Sequence, residues 1–278
     1  IYLDNKIGEP AVAALNKEDI VATPYPPLKC CHGTFSFYVG NGDCGVLSEM
    51  HVLDGFLNSG AIELGLVVTA DADPSLGSHW DFPFGLVGSA GRISRSHSDF
   101  PFAPVGGAVL LSYAEEPDKG FSRFAFSTVP EFMHLLEGKV QWRQGVLPRA
   151  VTDRVPGLDA GTNELEVVEQ EGYADRCTEC AARSTQQFLE AAGLAPLDID
   201  LLIPSPTPFG FPDSYAHAVG IPDDRVARVD ESFGRVHTAG PVAAMEGAIR
   251  TGQLAEARNV LFVTVGSGIT VGLALYHP

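Results

Sequence analysis

Strand-type and helix-type patterns alternate along the first readable part of the chain. Residues 34–39 alternate between apolar and polar side chains and are rich in β-formers, which predicts a strand. After the turn residues 40–43, apolar residues recur at helical spacing over 44–58, and Gly60 follows as a stop signal. Residues 64–69 form a continuous apolar run, which is typical of a strand buried on both faces.

The second half of the chain repeats this alternation. Residues 173–192 carry small and apolar residues on one helical face and are followed by Gly193, which predicts a long helix. Further helices are predicted over 213–219 and 238–250, and strands over 200–204, 227–229, 259–265 and 270–276. Alternating strands and helices favour an α/β fold whose layers surround a largely buried sheet.

The middle of the chain is less regular. Residues 108–113 predict another buried strand, and the alternating residues 121–128 are predicted to pair with it. The stretch 139–159 has no clear period and is the most basic part of the chain, with Lys139, Arg143, Arg149 and Arg154. It is interpreted either as a solvated loop or as a docking patch for an acidic partner or a phosphate.

The charge balance excludes two kinds of partner. The 278 residues contain 18 lysines and arginines against 35 aspartates and glutamates, for a net charge of −17. Proteins that track nucleic-acid phosphates or adhere to anionic membranes need basic surfaces, so neither partner is expected. The sequence has no run of about 18 apolar residues, so no membrane-spanning helix is predicted either.

The cysteines do not form a disulfide framework. Five is an odd and low number, which favours a reducing, cytoplasmic location. Cys177 and Cys180, with Cys30 and Cys31, have the residue types of a zinc site, and the first pair alone has the spacing of a redox motif. However, Cys177 and Cys180 fall on the apolar face of the predicted helix. They are therefore interpreted as core residues, and no metal site is predicted.

Two residues at predicted helix starts are candidates for chemistry. Cys44 follows a glycine-rich turn and opens a helix, where unpaired N–H groups stabilise a thiolate and lower its pKa. The alternative is a buried structural cysteine. His237 precedes a helix of small residues, and the same helix-end charge favours the neutral imidazole, a usable base.

The loop Gly266–Ser267–Gly268 lies between two predicted strands. It has the glycines of a dinucleotide-binding loop but opens no helix, so that function is not predicted. Such a loop can present a backbone N–H to a developing oxyanion, and the alternative is a simple tight turn.

Several spaced segments together resemble one family. Residues 33–45 (GTFSFYVGNGDCG) and 59–71 resemble the nucleophile region of β-ketoacyl-ACP synthase III. Residues 201–206, 233–240 and 252–275 are similar to its C-terminal region and occur in the same order. The resemblance covers about residues 33–278.

The resemblance implies a thiolase-like α/β fold. In that fold two related βαβαβ halves form layers in the order α-β-α-β-α, here expected as residues 1–130 and 131–278. The family has a complete βαβαβ unit before its cysteine, but 43 residues precede Cys44 here. The first half is thus either truncated or lacks residues from the given sequence, and we favour the second explanation.

The resemblance also implies roles for individual residues. Cys44 matches the acylated cysteine, and the backbone N–H groups of Cys44 and Ser267 match the oxyanion hole. Ser205 stands where the family has its catalytic histidine, and His237 stands where it has its catalytic asparagine. Because histidine and asparagine together stabilise the enolate after malonyl decarboxylation, this departure argues against carbon–carbon bond formation. Ser205 is instead predicted to hydrogen-bond the His237 imidazole.

The predicted function is acyl transfer through a Cys44 acyl-enzyme, with His237 as general base. This pattern resembles the synthase-III-like acyltransferases of antibiotic biosynthesis. The donor is expected to be an acyl-CoA or a phosphopantetheine-carried thioester on an acyl carrier protein, and the acceptor a small alcohol, amine or thiol. No bound cofactor is expected. The alternatives are a decarboxylative condensing enzyme and a non-catalytic thiolase-fold partner subunit.

Two further expectations concern assembly and substrate. The family is normally dimeric, so a homodimer is predicted in which residues 34–39 extend a sheet across the two-fold axis. Aromatic residues are candidates for an aryl pocket, although core packing is the alternative for most of them: Trp80, Phe82, Phe84, Phe100, Phe102 and Trp142.

Overall fold

A computed structural model describes residues 35, 37–71, 102–103, 105–116, 118–144 and 161–278. Its helices are α1 (Gly45–Asn58), α2 (Tyr173–Ala192), α3 (Phe211–Val219), α4 (Gly240–Thr251) and α5 (Gln253–Glu256). Its strands are β1 (Leu64–Asp71), β2 (Val105–Ser112), β3 (Gly120–Thr128), β4 (Leu136–Gln144), β5 (Gly161–Glu169), β6 (Leu201–Pro204), β7 (Val260–Gly266) and β8 (Thr270–His277). Short 3₁₀ helices lie at Gly42–Cys44, Pro130–Leu135, Pro196–Asp198, Asp223–Arg225 and Glu231–Phe233.

The largest sheet has four strands in the order β3-β8-β7-β6. β6 runs parallel to β7, whereas β8 is antiparallel to both β7 and β3. All residues of β6 and β7 are buried. This explains their unbroken apolar runs, because a strand covered on both faces needs no polar side.

Helices cover both faces of this sheet. Leu261, Val263 and Val265 of β7 pack in one cluster with residues of α2 and α3. Val260 and Phe262, the alternate residues, pack in a second cluster with α1 and α4. The side chains of a strand alternate between faces, so the single strand β7 supplies both cores.

A second, two-stranded sheet lies beyond α1 and α4. β1 and β2 pair antiparallel, and Val67 of β1 belongs to the same cluster as α1 and α4. Gly65 lies against Leu53 of α1, and Gly107 lies against Val242 of α4, so closely that a Cβ at either glycine would overlap its neighbour. The described layers are therefore α2 and α3, the large sheet, α1 and α4, and the small sheet.

Long helical and strand patterns gave the best predictions. The helix over 173–192 is confirmed residue for residue, and Gly193 ends it with a φ of 71°. None of the helices among the described residues has both the length and the apolar character needed to cross a membrane.

Residues 64–69 and 108–113 were predicted as buried strands, but they correspond to β1 and β2, where alternate residues are exposed.

Four further local predictions were wrong, because pairing partners and turn geometry are not local properties. β3 pairs with β8 and not with residues 108–113. Residues 139–144, predicted as irregular, lie in β4, which forms a hairpin with β5. Residues 227–229 form no strand, and only Val226 makes an isolated bridge, to Leu202. Phe35 and residues 37–39, the described part of the predicted strand 34–39, have no regular structure.

Gly240, the first residue of α4, offers a test of this packing. A Cβ there would overlap the ring of Pro206, and Gly240 itself is buried. We expect Gly240→Ala to lower the free energy of unfolding by about 1–3 kcal/mol, measured by urea denaturation. Gly55→Ala is the matched control, because Gly55 lies inside α1 with no atom within 4 Å of the added methyl group. It should raise stability by up to about 1 kcal/mol. Equal effects of the two substitutions would contradict the packing.

Candidate functional site

Cys44 lies at the junction of the 3₁₀ helix Gly42–Cys44 and α1, and its side chain is fully buried. Its Sγ donates to the carbonyl oxygen of Thr270 at 3.4 Å and approaches that of Thr264 at 3.7 Å. Both carbonyls belong to the β7–β8 hairpin. The end of this hairpin therefore lies against the thiol. The sequence assigns Cys44 and Ser267, which lies in this hairpin, to one oxyanion hole.

The lowered pKa predicted for Cys44 is wrong. Burial, with a smaller contribution from the charge of the neighbouring Asp43, raises the pKa of the thiol to about 12, despite hydrogen bonds that lower it. Desolvation of a thiolate at this depth outweighs the partial charge of a helix end. The resting group is thus a thiol, and it needs a base at the moment of reaction.

The two predicted oxyanion donors differ in their surroundings. The backbone N–H of Cys44 donates to the carbonyl of Asn41 at 3.0 Å, inside the 3₁₀ turn. Ser267 lies exposed at the tip of the β7–β8 hairpin. Gly266, its neighbour, lies so close to the thiol that a Cβ there would be 3.9 Å from Sγ. The assignment of Ser267 as an oxyanion donor stays a prediction, and the Cys44 donor is already in use within its turn.

His237 lies against the residue that precedes the cysteine. Its Nε2 is 2.8 Å from Oδ1 of Asp43. At this distance the carboxylate and the ring form an ion pair when the ring is protonated. The other ring nitrogen, Nδ1, lies 2.9 Å from the hydroxyl of Thr238.

This contact changes the charge state expected for His237. Burial lowers the pKa of the imidazole, but the contact with Asp43 and the charges of Asp43 and Asp71 outweigh burial and raise that pKa above 6.5. Arg235 opposes the rise. The predicted effect of the helix end on His237 is therefore opposed by two carboxylates, which raise the pKa of the ring.

Asp43 is the central acidic residue of the site. Its side chain is 5% exposed. Thr207 donates to Oδ2 at 3.0 Å, and His237 contacts Oδ1. Sequence reasoning treated Asp43 only as a turn residue. A carboxylate directly before a candidate nucleophile was the available signal, but only the tertiary structure brings the histidine to it.

Asp71 fixes the backbone on which His237 lies. It ends β1, and its carboxylate accepts the backbone N–H groups of His237 at 2.9 Å, Thr238 at 2.9 Å and Ala239 at 3.2 Å. These groups lead into α4, whose first N–H groups lack partners within the helix. Asp71 was also missed, since its ligands lie more than 160 residues away in the chain.

Ser205 does not make the predicted hydrogen bond to His237. Ser205 is fully buried, and its backbone N–H donates to the carbonyl of Val263 at 2.7 Å. Its Oγ has no hydrogen-bond partner among the described residues. The imidazole instead faces Asp43 and Thr238. The partners that the sequence assigned to Ser205 are thus supplied by Asp43 at Nε2 and by Thr238 at Nδ1.

Three further side chains lie near His237: an aromatic ring, a guanidinium group and a carboxylate. The ring of Phe102 lies 4.2 Å from the imidazole, centroid to centroid. The guanidinium of Arg235 lies 5.3 Å from the Phe102 centroid and 3.1 Å from a carboxylate oxygen of Glu169. Phe102 thus lines the site, while the side chains of the other predicted pocket aromatics lie outside the described residues.

The other predicted candidates were the remaining cysteines and the basic stretch 139–159. Cys177 and Cys180 are buried free thiols on the core side of α2, as their apolar spacing predicted. No group of three potential metal ligands occurs in the described part of the chain, and Cys30 and Cys31 lie outside it. The side chains of the basic stretch 139–159 also lie outside the described residues.

Comparison with known proteins supports the resemblance. Residues 189–277 match the family described as 3-oxoacyl-[acyl-carrier-protein (ACP)] synthase III C terminal. β-Ketoacyl-[acyl-carrier-protein] synthase III of Coxiella burnetii is 30% identical over 89 residues, which are 32% of this chain and 28% of that protein. The synthase of Thiobacillus denitrificans is 29% identical over 121 residues, 43% of this chain and 38% of that protein. The chain thus matches less than half the length of these relatives.

Solved structures show the same fold. Synthase III from Thermus thermophilus has a TM-score of 0.65 at 22% identity, covering 92% of this chain and 74% of that one. OleA from Xanthomonas campestris has a TM-score of 0.63 at 14% identity, covering 88% of this chain and 66% of that one. The thiolase-like α/β fold predicted from the sequence is confirmed. Over residues 189–277 the chain is thus similar to ketoacyl-ACP synthase III proteins.

The charge contact between Asp43 and His237 can be tested by titration. The Asp43→Asn substitution removes the charge that raises the pKa of His237 and leaves burial, which lowers it, so we expect this pKa to fall. NMR titration of the histidine ring protons measures the change. Asp175→Asn, at an exposed position in the first turn of α2, is the control and should leave the pKa of His237 unchanged. An unchanged value in Asp43→Asn would contradict the assigned cause.

The raised pKa of Cys44 predicts slow alkylation. With a pKa of about 12, about one molecule in 10⁵ carries the thiolate at pH 7. The rate of Cys44 modification by iodoacetamide, measured by peptide mass spectrometry, should therefore rise about tenfold per pH unit between pH 7 and 9. A rate that levels off in this range would show that Cys44 is a preformed thiolate. Cys44→Ala identifies the labelled peptide.

Proposed function

We propose that this chain is an acyltransferase of the synthase III type. It takes an acyl or aryl group from a CoA or carrier-protein thioester onto Cys44 and passes it to an alcohol, amine or thiol acceptor in secondary metabolism. The observation that carries the proposal is the contact of His237 with Asp43, the residue directly before a buried Cys44. A nucleophile, a base and a carboxylate that holds the base are the parts that acyl transfer needs.

The first step is acylation of Cys44. Sγ attacks the carbonyl carbon of the donor thioester, while the imidazole of His237 takes the thiol proton. The neutral form of the imidazole accepts this proton, and Asp43, 2.8 Å from Nε2, then stabilises the imidazolium. The tetrahedral intermediate breaks its bond to the donor sulfur. This sulfur leaves with the proton as CoA or carrier-protein thiol.

The second step transfers the group to the acceptor. The neutral imidazole removes the proton of the acceptor hydroxyl, amine or thiol as that atom attacks the acyl-enzyme carbonyl. The carbon–sulfur bond breaks, and the Cys44 thiolate takes back the proton. Because burial disfavours a thiolate here, return of the proton restores the stable state of the enzyme.

Asp43 also supports acyl transfer over decarboxylative condensation. Condensation generates an enolate beside the acylated cysteine, and a buried carboxylate at that place opposes the second negative charge. Ser205 offers one hydroxyl where the synthases place a histidine. Both features favour acyl transfer over condensation. In acyl transfer the acceptor is neutral and gives its proton to the imidazole, so no enolate forms.

The proposal extends to donor and assembly. The relatives' names mention acyl carrier protein, which supports a carrier-protein donor as one of the two options. A homodimer remains part of the proposal. Phe35 and Tyr38, which are 72% and 76% exposed, provide apolar surface near the predicted two-fold contact.

Intact mass spectrometry tests the proposed function. Incubation with acetyl-CoA, octanoyl-CoA or benzoyl-CoA should add one acyl group to the wild-type chain and none to Cys44→Ala. Cys180→Ala is the matched control, because it removes another buried thiol on α2 and should still be acylated. His237→Ala should slow acylation about 10²- to 10⁴-fold, the usual contribution of a general base.

Two results would point to the alternatives. If none of the thioesters, nor an acyl group on a carrier protein, modifies Cys44, the chain is a non-catalytic partner subunit. If malonyl thioester is consumed with one CO₂ released per product molecule, the chain is a condensing enzyme.

A further inference from the structure

We propose that Arg235 is a positioning residue for the base of this site. Its guanidinium, held against the Phe102 ring that also packs on His237, keeps enough of the imidazole in the neutral form that accepts a proton. This inference rests on the proposed function, in which His237 is the general base, and it concerns how that base is kept available.

Phe102 brings the guanidinium and the imidazole close together. The centroid of its ring lies 4.2 Å from the centroid of the His237 ring and 5.3 Å from the guanidinium carbon of Arg235. These two distances limit the separation of the two groups to about 10 Å, which is one Debye length at about 0.1 M salt. Like charges still repel each other at this separation. A charged Arg235 therefore disfavours the charged form of His237.

The backbone and a carboxylate hold Arg235 in this place. The backbone N–H of Ala103, the residue after Phe102, donates to the carbonyl oxygen of Arg235 at 2.8 Å. A Cβ at Gly234 would lie 3.3 Å from the Cβ of Ala103, so the two segments are also in close contact. The guanidinium is 3.1 Å from a carboxylate oxygen of Glu169, at the end of β5. The guanidinium is thus held beside the ring by contacts from both sides of the chain segment.

The charged groups around the His237 ring have opposite effects. Burial lowers the pKa of the imidazole, Asp43 and Asp71 raise it, and Arg235 lowers it. Asp43 lies in the turn before α1 and Asp71 at the end of β1. Glu169 pairs with the guanidinium and so weakens its effect on the ring. Without the Arg235 charge, the two carboxylates would hold more of the imidazole in the charged form, which cannot accept the thiol proton.

The Arg235→Gln substitution therefore has an effect of known sign. Loss of the positive charge should raise the pKa of His237, so that less neutral imidazole is present at pH 7. Acylation of Cys44 by octanoyl-CoA should slow about two- to fivefold at pH 7, the usual size of an exposed charge interaction. This deficit should disappear at about pH 9, where the imidazole is neutral in both proteins.

Two measurements and two further variants complete the test. NMR titration of the His237 ring protons, assigned by their loss in His237→Gln, gives the pKa, and intact mass gives the pH profile of acylation. Arg235→Lys keeps the charge and should stay close to wild type in both measurements. Arg176→Gln is the matched control and should change neither. The Arg176 guanidinium also lies 5.3 Å from an aromatic centroid, that of Phe132, and also pairs with a carboxylate, Glu179.

Salt separates a charge effect from a packing effect. The Arg235 side chain is 37% exposed, so dissolved ions should screen its charge. The difference in His237 pKa between wild type and Arg235→Gln should therefore shrink between about 0.05 M and about 1 M NaCl. A difference that does not depend on salt would show that the substitution acts through the packing of Phe102, and it would overturn the inference.

The remaining outcomes distinguish this inference from the proposed function. If Arg235→Gln leaves the pKa of His237 unchanged, or slows acylation equally at every pH, the inference is wrong and the acyltransferase stands. If no thioester acylates Cys44 in the wild-type chain, the proposed function is wrong, and the role of Arg235 in it is overturned as well.

Discussion

The structure of this site depends on one buried carboxylate. Asp43 is 5% exposed, and an unpaired charge at such a buried position would be costly. Thr207 and His237 are the described groups that compensate for it, and they come from chain segments far from the 3₁₀ turn that carries Asp43. The contacts that compensate the Asp43 charge therefore connect three segments: the turn before Cys44, the segment after β6 and the segment before α4.

The rest of the packing holds that unit in place. Asp71 binds three successive N–H groups of residues 237–239, so the histidine backbone is attached to the end of β1. Gly240 and Pro206 then contact each other without room for another carbon atom. Pro206 lies between Ser205 and Thr207, and Thr207 donates to Asp43. The Gly240–Pro206 contact therefore fixes the segment that binds Asp43 against the start of α4.

The same carboxylate shapes the chemistry. Burial and the Asp43 charge keep Cys44 protonated, while Asp43 and Asp71 favour the charged imidazole. The resting site therefore combines a thiol with an imidazole that holds its proton more strongly than usual. In such a site the thiol loses its proton only as it attacks, and it needs a neutral imidazole to receive it. The activity should therefore depend on pH more strongly than it would with a preformed thiolate.

The sequence by itself determined the periodic elements and the nucleophile. The helix 173–192, the buried strands β6, β7 and β8, and the position of Cys44 at a helix start follow from patterns within about 20 residues. The tertiary structure decided which strands pair and which groups surround the chemistry. His237 meets both Asp43 and Asp71, each more than 160 residues earlier in the chain. The physical reason is that periodicity records which face of an element is buried, whereas a pKa depends on the charges and the desolvation that the finished fold brings together.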